Sequence, residues 1–392
     1  MPSLLEANTL FRGTYCWLAA SCGGWLPLGW EWLAYIVAGL SIVLLLINAF
    51  LVLSMLYTYM ERRLIGRFQS RLGPNRAGPF GLLQPLADGI KLLTKEDIVP
   101  EGADRWVFNL APIAMIAPAL MVLTVLPFGE GSFLADVNIG ILFIVAVTSV
   151  NTLAMFMAGY ASGNRYALFG GMRAVAQLIS YEIPVVLSIV GIIMLTGSLS
   201  LVSIVNAQQI PFILLQPLAF FVFIAGSSAE LNRTPFDLVE AESEIIAGYH
   251  TEYSGMKFGM FQLAEFGAVL TTSGVIATLF LNGWEGPFLP SHLWFLLKVF
   301  FLAFIFIWVR ATLPRLRIDQ VMAFAWKFLL PLSLLNIFVT GAEILLLDTD
   351  MLRDLWIMAG INLVVAVVAV VLFSHIARWG PRRTQSVSEI PL

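Results

Sequence analysis

The sequence is poor in charge and in the residues that most often bind metals. Charged side chains make up only 12% of its 392 residues, and there are two cysteines and three histidines. Cys16 and Cys22 cannot supply the ligands of a cysteine-held iron–sulfur cluster or of a structural zinc site. The net charge of −3 and the lack of any Lys/Arg-rich run give no support to nucleic-acid binding.

Other absences narrow the function further. The chain has no glycine loop that cradles phosphate, no HExxH zinc helix and no nucleophile elbow, so nothing supports hydrolysis or nucleotide binding. The first thirty residues lack a basic start followed by an apolar core, so we predict no cleaved signal peptide. Cys16 and Cys22 would form a disulfide only on an oxidising side of a membrane, and we favour two unpaired cysteines.

Apolar residues account for 59% of the chain and occur in long runs. A helix needs about 20 apolar residues to cross a bilayer. The sequence therefore predicts an all-α polytopic membrane protein with about nine transmembrane helices. The predicted spans are 32–60, 108–128, 139–162, 174–196, 210–231, 260–281, 291–312, 323–346 and 355–377.

The distribution of lysine and arginine predicts the orientation of these spans. Alternate connections carry nearly all of the Lys and Arg residues, whereas the others carry only Arg12 and Arg353. Because cytoplasmic connections are enriched in these residues, we expect the N-terminus outside and the C-terminus in the cytoplasm. Residues 1–31 are then an external segment, 32–378 the membrane domain and 379–392 a cytoplasmic tail.

One cytoplasmic connection, TPFDLVEAESEIIAGYHTEY, concentrates the scarce acid of the chain. Thr234 and Pro235 predict the start of a helix that places Asp237, Glu240 and Glu244 within about 60° of one another. A solvated acidic face is the simple interpretation. Glu242 falls instead among apolar residues, where a carboxyl keeps its proton more readily, and this favours a functional role.

Three more carboxylates lie in the spans, in their cytoplasmic halves. Glu182 is expected about 12 Å into the fourth span, Glu265 five residues into the sixth, and Glu230 ends the fifth. Intramembrane carboxylates commonly mark ion or proton pathways, and structural pairing with an arginine is the alternative for each one. For Glu343 and Lys298, nearer the outer ends, we favour a structural role.

The longest cytoplasmic connection contains a second helical pattern. In GPFGLLQPLADGIKLL, the apolar residues recur near helical spacing. The pattern predicts an amphipathic helix along the membrane interface, on which Asp88 and Lys91 can pair. Such a helix is either a surface anchor or, beside Glu61 and Arg62, one edge of an opening for a lipid-soluble ligand.

These segments carry a family resemblance. The stretches ERRLIGRFQSRLGPNRAGPFGLLQPLADGIKLLTKED, GGMRAVAQLISYEIP, AELNRTPFDLVEAESEIIAGYHTEYSGMKF and WVRATLPRLRIDQ resemble the H-subunit family of respiratory complex I, which corresponds to mitochondrial NADH dehydrogenase subunit 1. The resemblance covers roughly residues 61–320 and implies a membrane subunit of proton-translocating NADH:quinone oxidoreductase in a bacterial cell membrane. Loops 61–107 and 232–259 would form the floor of its quinone chamber.

The resemblance also implies roles for single residues and partners. Quinone is the implied substrate, whereas NADH, FMN and the iron–sulfur clusters belong to partner subunits, and this chain is expected to bind no metal. The implied quinone passage comprises Glu61, Arg62, Asp88, Lys91, Tyr249 and Tyr253. The implied proton relay comprises Glu182, Glu230, Glu240, Glu242, Glu244, Glu252 and Glu265. The implied contact with the peripheral arm comprises Arg310, Arg315, Arg317 and Asp319.

Two other classes compete with this interpretation. One is an ion-translocating or anchoring subunit of a related membrane hydrogenase, against which the full LGPNRAGPFGLLQPLADGIKLL loop argues. The other is a stand-alone secondary transporter, whose acids bind substrate at the midplane of the membrane. Here the acids cluster on the predicted cytoplasmic side, which disfavours a transporter.

The predicted orientation is testable with reporter fusions. A reporter fused after Arg383 should be cytoplasmic, and one inserted near Asp136 should be external, because the Lys/Arg asymmetry puts them on opposite sides. Activity of both reporters on one side of the membrane would contradict the span count.

Overall fold

The computed structural model describes residues 9–18, 30–239, 246–347 and 351–378, and this part of the chain is almost entirely helical. In chain order the helices are α1 (Thr9–Leu18), α2 (Glu31–Phe68), α3 (Gln84–Thr94), α4 (Arg105–Val125), α5 (Gly140–Ala161), α6 (Arg165–Thr196), α7 (Leu201–Ala207), α8 (Phe212–Leu215), α9 (Pro217–Glu230), α10 (Gly255–Phe280), α11 (Ser291–Thr312), α12 (Ile318–Phe324), α13 (Leu330–Leu346) and α14 (Leu352–Arg378). A π-helical segment, Ala325–Leu329, joins α12 to α13.

Eight helical segments in the described residues are long and apolar enough to cross a membrane. They are α2, α4, α5, α6, α10, α11, the continuous α12–α13 and α14. The chain is therefore an all-α polytopic membrane protein, as predicted from its apolar runs.

The fifth predicted span, 210–231, is not one helix. Gln216 has non-helical backbone angles, and the next residue is Pro217. Because proline has no backbone N–H, it cannot continue the helical hydrogen bonds of α8. The helix that follows, α9, has only 14 residues, or about 21 Å of length. The break leaves the side chain of Gln216 inside the bundle, where it is fully buried.

Two helices extend further than predicted. The helix α2 continues to Phe68, and Leu64 and Ile65 in its last turns pack against the core. The helix α6 begins at Arg165, where the side chain of Asn164 caps it by accepting from the N–H of Tyr166. Glu182 thus lies 17 residues from the start of α6, about 26 Å along its axis, and near its middle rather than near one end.

The helices α6 and α10 lie at the centre of the bundle. The first packs against α5, α9 and α13, and the second against α2, α3, α4 and α11. Both present small residues to their neighbours. In α6, Gly170 packs against the backbone of Gly248, where an added Cβ would lie only 2.7 Å from Gly248 Cα.

The predicted amphipathic helix is confirmed as α3. Its apolar side chains, with two leucines just before it, are exposed in the isolated chain: Leu82, Leu83, Leu86, Ile90 and Leu93. Its other side packs against α10 and α2. An exposed apolar stripe on a helix that packs against the bundle is typical of an element lying in the membrane interface.

The two long connections contact each other on one end of the bundle. Ser254 Oγ accepts from the backbone N–H of Ile98 at 3.0 Å and donates to the carbonyl of Glu96 at 3.1 Å. Lys257 Nζ and Asp97 Oδ2 lie 2.7 Å apart. The connection after α3 and the start of α10 therefore form one surface.

Candidate functional site

The last turns of α2 bury a carboxylate between two arginines. Glu61 is 4% exposed, and its Oε1 accepts a hydrogen bond from Arg233 Nη1 at 3.0 Å. Arg310 Nη1 donates to the same oxygen. We call these three residues the Glu61 triad. It ties α2, the connection after α9 and the end of α11 together.

Two aromatic rings pack on the Arg233 side of the triad, whereas Arg310 is partly exposed. The guanidinium of Arg233 lies 5.1 Å from the centroid of the Phe266 ring, and Tyr57 contacts the same ring one turn before Glu61. Ring contact removes water from the ion pair, so each charge depends on its partner for stabilisation. Two arginines on one carboxylate leave a net positive charge inside the protein.

The exposed side of the same turn of α2 carries a second ionic cluster. Arg62 Nη1 donates to Asp88 Oδ2, and Lys91 Nζ lies 3.8 Å from Asp88 Oδ1, which confirms the predicted pair. Gln84 Nε2 also donates to Asp88, at 3.3 Å. This cluster fixes α3 beside the end of α2. The adjacent residues Glu61 and Arg62 therefore point in different directions: Glu61 points into the bundle, and Arg62 points towards α3.

The acidic connection, which contains the segment TPFDLVEAESEIIAGYHTEY, does not begin with the predicted helix. Residues 232–239 form turns, so Thr234 does not cap a helix and Asp237 is not at its third position. Tertiary contacts take up the backbone groups instead. Gln177 Nε2 donates to the carbonyls of Ala229 and Phe236, at 2.8 and 2.9 Å, and the carbonyl of Pro235 accepts from the N–H of Leu316.

The acids of this connection are held separately in the structure. Asp237 Oδ2 pairs with Arg315 Nη2 at 3.0 Å, and Glu252 Oε1 accepts from Asn164 Nδ2 at 2.7 Å. Glu240, Glu242 and Glu244 lie outside the described residues, and so does Cys22. The predicted grouping of Asp237 with Glu240 and Glu244 on one helix face therefore loses its first member.

The tyrosines assigned to the quinone passage are buried in an aromatic cluster. Tyr253 stacks on Phe108 with ring centroids 4.0 Å apart, and both Tyr249 and Tyr253 meet the edge of Phe261. Burial raises the pKa of Tyr253. The neighbouring His250 is also buried, which lowers its pKa to about 4 and keeps it neutral at physiological pH.

Two adjoining cavities lie between the membrane helices. Each has a volume of about 50 Å³, which is room for about three water molecules. Glu182 and Glu230 line both, together with Thr148, Thr271 and Thr272. Ser149 Oγ donates to Glu182 Oε1. A lining of carboxyls and hydroxyls can hold water and exchange protons with it.

The remaining predicted site residues lie apart from these cavities. Glu265 is half-buried, ten residues into α10, and does not line them. Arg317 and Asp319 are exposed at the start of α12, near Arg315 in sequence. Arg310, expected at the surface with them, belongs to the Glu61 triad instead.

Some site residues carry no sequence signal, while another does. Gln177 and Asn151 are ordinary polar residues of apolar helices. Gln177 nevertheless holds the acidic connection in place through its hydrogen bond to Phe236. Asn151 lines one of the two cavities, and its Oδ1 has no hydrogen-bond partner in the described part of the chain. Arg233 carries a partial signal, because an arginine soon after an apolar helix can pair with an acid inside the bundle.

Comparison with known proteins assigns the family. The family model of NADH dehydrogenase matches residues 40–341. The H subunit of NADH-quinone oxidoreductase from Dehalococcoides mccartyi is 56% identical over 345 residues, which cover 88% of this chain and 97% of that protein. The chain belongs to the H-subunit family of NADH-quinone oxidoreductase.

Two further relatives are similar over most of their length. An H subunit of NADH-quinone oxidoreductase from Syntrophobacter fumaroxidans is 50% identical over 323 residues, covering 79% of this chain and 96% of that protein. Another, from Geobacter sulfurreducens, is 49% identical over 315 residues, covering 78% and 94%. These names match the resemblance found in the sequence and favour it over a hydrogenase component or a stand-alone transporter.

The buried triad generates a stability prediction for this member of the family. Arg233→Gln should lower the free energy of unfolding by about 1–3 kcal/mol, because it removes a buried hydrogen bond between charged groups while Arg310 still pairs with Glu61. Arg353→Gln is the matched control. Its ion pair with Asp354 is exposed on the arginine side, so we expect a loss of about 0–1 kcal/mol.

The measurement is thermal denaturation of the purified complex, with assembly followed on native gels. Equal stability of the two variants would contradict a structural role for the triad.

Proposed function

We propose that this chain is the membrane subunit of a proton-translocating NADH:quinone oxidoreductase that forms the quinone passage and couples quinone reduction to proton movement. The observation that carries the proposal is a set of ionisable groups inside the bundle. They are the Glu61 triad, and the half-buried Glu182 and Glu230, which share the two cavities.

The passage for quinone is best placed between α2 and α3. The exposed leucines of α3 give an isoprenoid chain an apolar surface, and the Arg62–Asp88–Lys91 cluster holds the helix in position. Glu61 lies one residue from Arg62, so a headgroup that enters here approaches the triad. Tyr249 and Tyr253 would stabilise the acidic connection from below rather than contact the open passage.

The coupling is electrostatic. Reduction of a quinone to quinol takes two electrons and two protons, so charge appears and is neutralised near the triad. A unit charge at roughly 10 Å changes the energy of another by about 2 kcal/mol at an effective dielectric constant of 20, which is more than a tenfold change in proton affinity. Water in the cavities would pass the resulting proton shift between Glu182 and Glu230. Glu240, Glu242, Glu244, Glu252 and Glu265 complete the proposed relay.

The partners follow from the surface where the two long connections meet. Asp97, Ser254 and Lys257 fasten loops 61–107 and 232–259 into one layer, which we assign to the floor of the quinone chamber. The exposed Arg317 and Asp319, beside Arg315, would contact the peripheral-arm subunits. Those subunits would carry FMN and the iron–sulfur clusters and oxidise NADH. This surface is cytoplasmic in the proposed orientation in the inner membrane.

The passage is tested by Arg62→Ala. We expect a substantial loss of NADH:quinone reductase activity with near-normal electron transfer from NADH to a water-soluble acceptor, because only the quinone end of the complex depends on Arg62. Arg353→Gln, at the opposite end of the bundle, should affect neither activity. Parallel loss of both activities in Arg62→Ala would instead show that the complex does not assemble.

The relay is tested by Glu182→Gln, which keeps the shape of the side chain but cannot release a proton. The variant should assemble, yet lose most quinone reduction and proton pumping together, because the two processes are coupled. Glu182→Asp should retain more activity, since its carboxyl still titrates. Glu285→Gln, exposed and hydrogen-bonded to Asn282, is the control. The readouts are NADH:quinone turnover and pumping in membrane vesicles. Wild-type values in Glu182→Gln would leave Glu182 with a structural role only.

A further inference from the structure

Another carboxyl is buried outside the cavities of Glu182 and Glu230, where α13 packs against α14. Glu343 is 5% exposed, and its Oε2 accepts a hydrogen bond from Asn362 Nδ2 at 2.8 Å. Its Oε1 has no hydrogen-bond partner among the described residues. No ion pair in that part of the chain includes Glu343.

Two other polar side chains lie on the same face of α13, one and two turns before Glu343. Asn336, Thr340 and Glu343 are spaced by four and three residues, which aligns them on one side of a helix. Gln216, at the break between α8 and α9, donates from Nε2 to Thr340 Oγ1 at 3.2 Å. Thr340 donates in turn to the carbonyl of Asn336.

This row leaves a donor and an acceptor unsatisfied beside Gly191. Gln216 is 0% and Asn336 2% exposed, and within the described residues neither Gln216 Oε1 nor Asn336 Nδ2 has a partner. A Cβ at Gly191 would lie 2.8 Å from the first atom and 2.7 Å from the second. Both atoms therefore pack closely against the bare Cα of Gly191, and no side chain separates them there. A water molecule there can accept from the amide and donate to the carbonyl oxygen.

The protonation state of Glu343 follows from the same surroundings. A buried carboxylate without a cation is strongly unfavourable, whereas a neutral carboxylic acid offers an O–H to water and still accepts from Asn362. We propose that Glu343 holds an exchangeable proton and that the site formed with Gln216, Asn336, Thr340 and Asn362 binds water. None of these residues lines the cavities of Glu182 and Glu230, so this is a second hydrated proton-holding site, beyond the function proposed above.

The proton is tested by infrared spectroscopy of the assembled complex. The difference spectrum between wild type and Glu343→Gln should show the C=O stretch of one protonated carboxyl, and that band should shift in D₂O because the proton exchanges. Asn362→Leu should move the band, since it removes a hydrogen bond but keeps the acid. If Glu343→Gln instead removes the bands of an ionised carboxylate, the proposal is overturned, because Glu343 is then charged in the wild type. A Na⁺ ion bound to Glu343 would give that result. If Glu343→Gln does not assemble, the band shift in Asn362→Leu decides alone.

The water is tested by a cryo-electron-microscopy map of the wild-type complex that resolves ordered solvent. We expect density within hydrogen-bonding distance of both Gln216 Oε1 and Asn336 Nδ2. Gly191→Ala should remove this density, because its Cβ would lie within 2.8 Å of both amide atoms and displace them, while Gly39→Ala, with open space around it, should not. A dry site, or a cation from a neighbouring subunit on Glu343, would overturn the proposal.

Discussion

The buried contact between Glu61 and its two arginines is the constraint on which the candidate site depends. Each member comes from a different element, and each is costly to bury alone. Their mutual attraction therefore fixes the end of α2, the connection after α9 and the end of α11 relative to one another. The exposed Arg62–Asp88 contact then positions α3 against this fixed point.

The same physics explains why the acids of this chain are not equivalent. Three acids near the two long connections are balanced by cations: Glu61 by Arg233 and Arg310, Asp88 by Arg62 and Asp237 by Arg315. Glu182 and Glu343 meet hydroxyls and amides instead. A paired carboxylate serves as a structural anchor. The acids that meet neutral donors are the ones that we assign to proton-holding sites.

The sequence predicted eight of its nine spans and the amphipathic helix correctly, because both depend on local patterns of apolar residues. It also indicated the Asp88–Lys91 pair, since the two residues are neighbours on one helix. It failed where the outcome depends on distant partners. The helix expected at Thr234 is replaced by turns, because Gln177 and Leu316 satisfy the backbone there. Arg310 was assigned to the surface because nothing in the local sequence shows that Glu61 lies beside it. The run 210–231 was predicted as one helix because it is apolar throughout, although the helix is interrupted at Gln216.

A double-mutant cycle on Glu61 and Arg233 tests the central claim most directly. Thermal stability and quinone reductase activity would be measured for the assembled complexes carrying Glu61→Gln, Arg233→Gln and both changes. If the triad is held together by mutual attraction, the double variant should lose less stability than the sum of the two single losses, because each single change already breaks the contact between Glu61 and Arg233. Losses that simply add would contradict the account, since they would show that the two residues act independently.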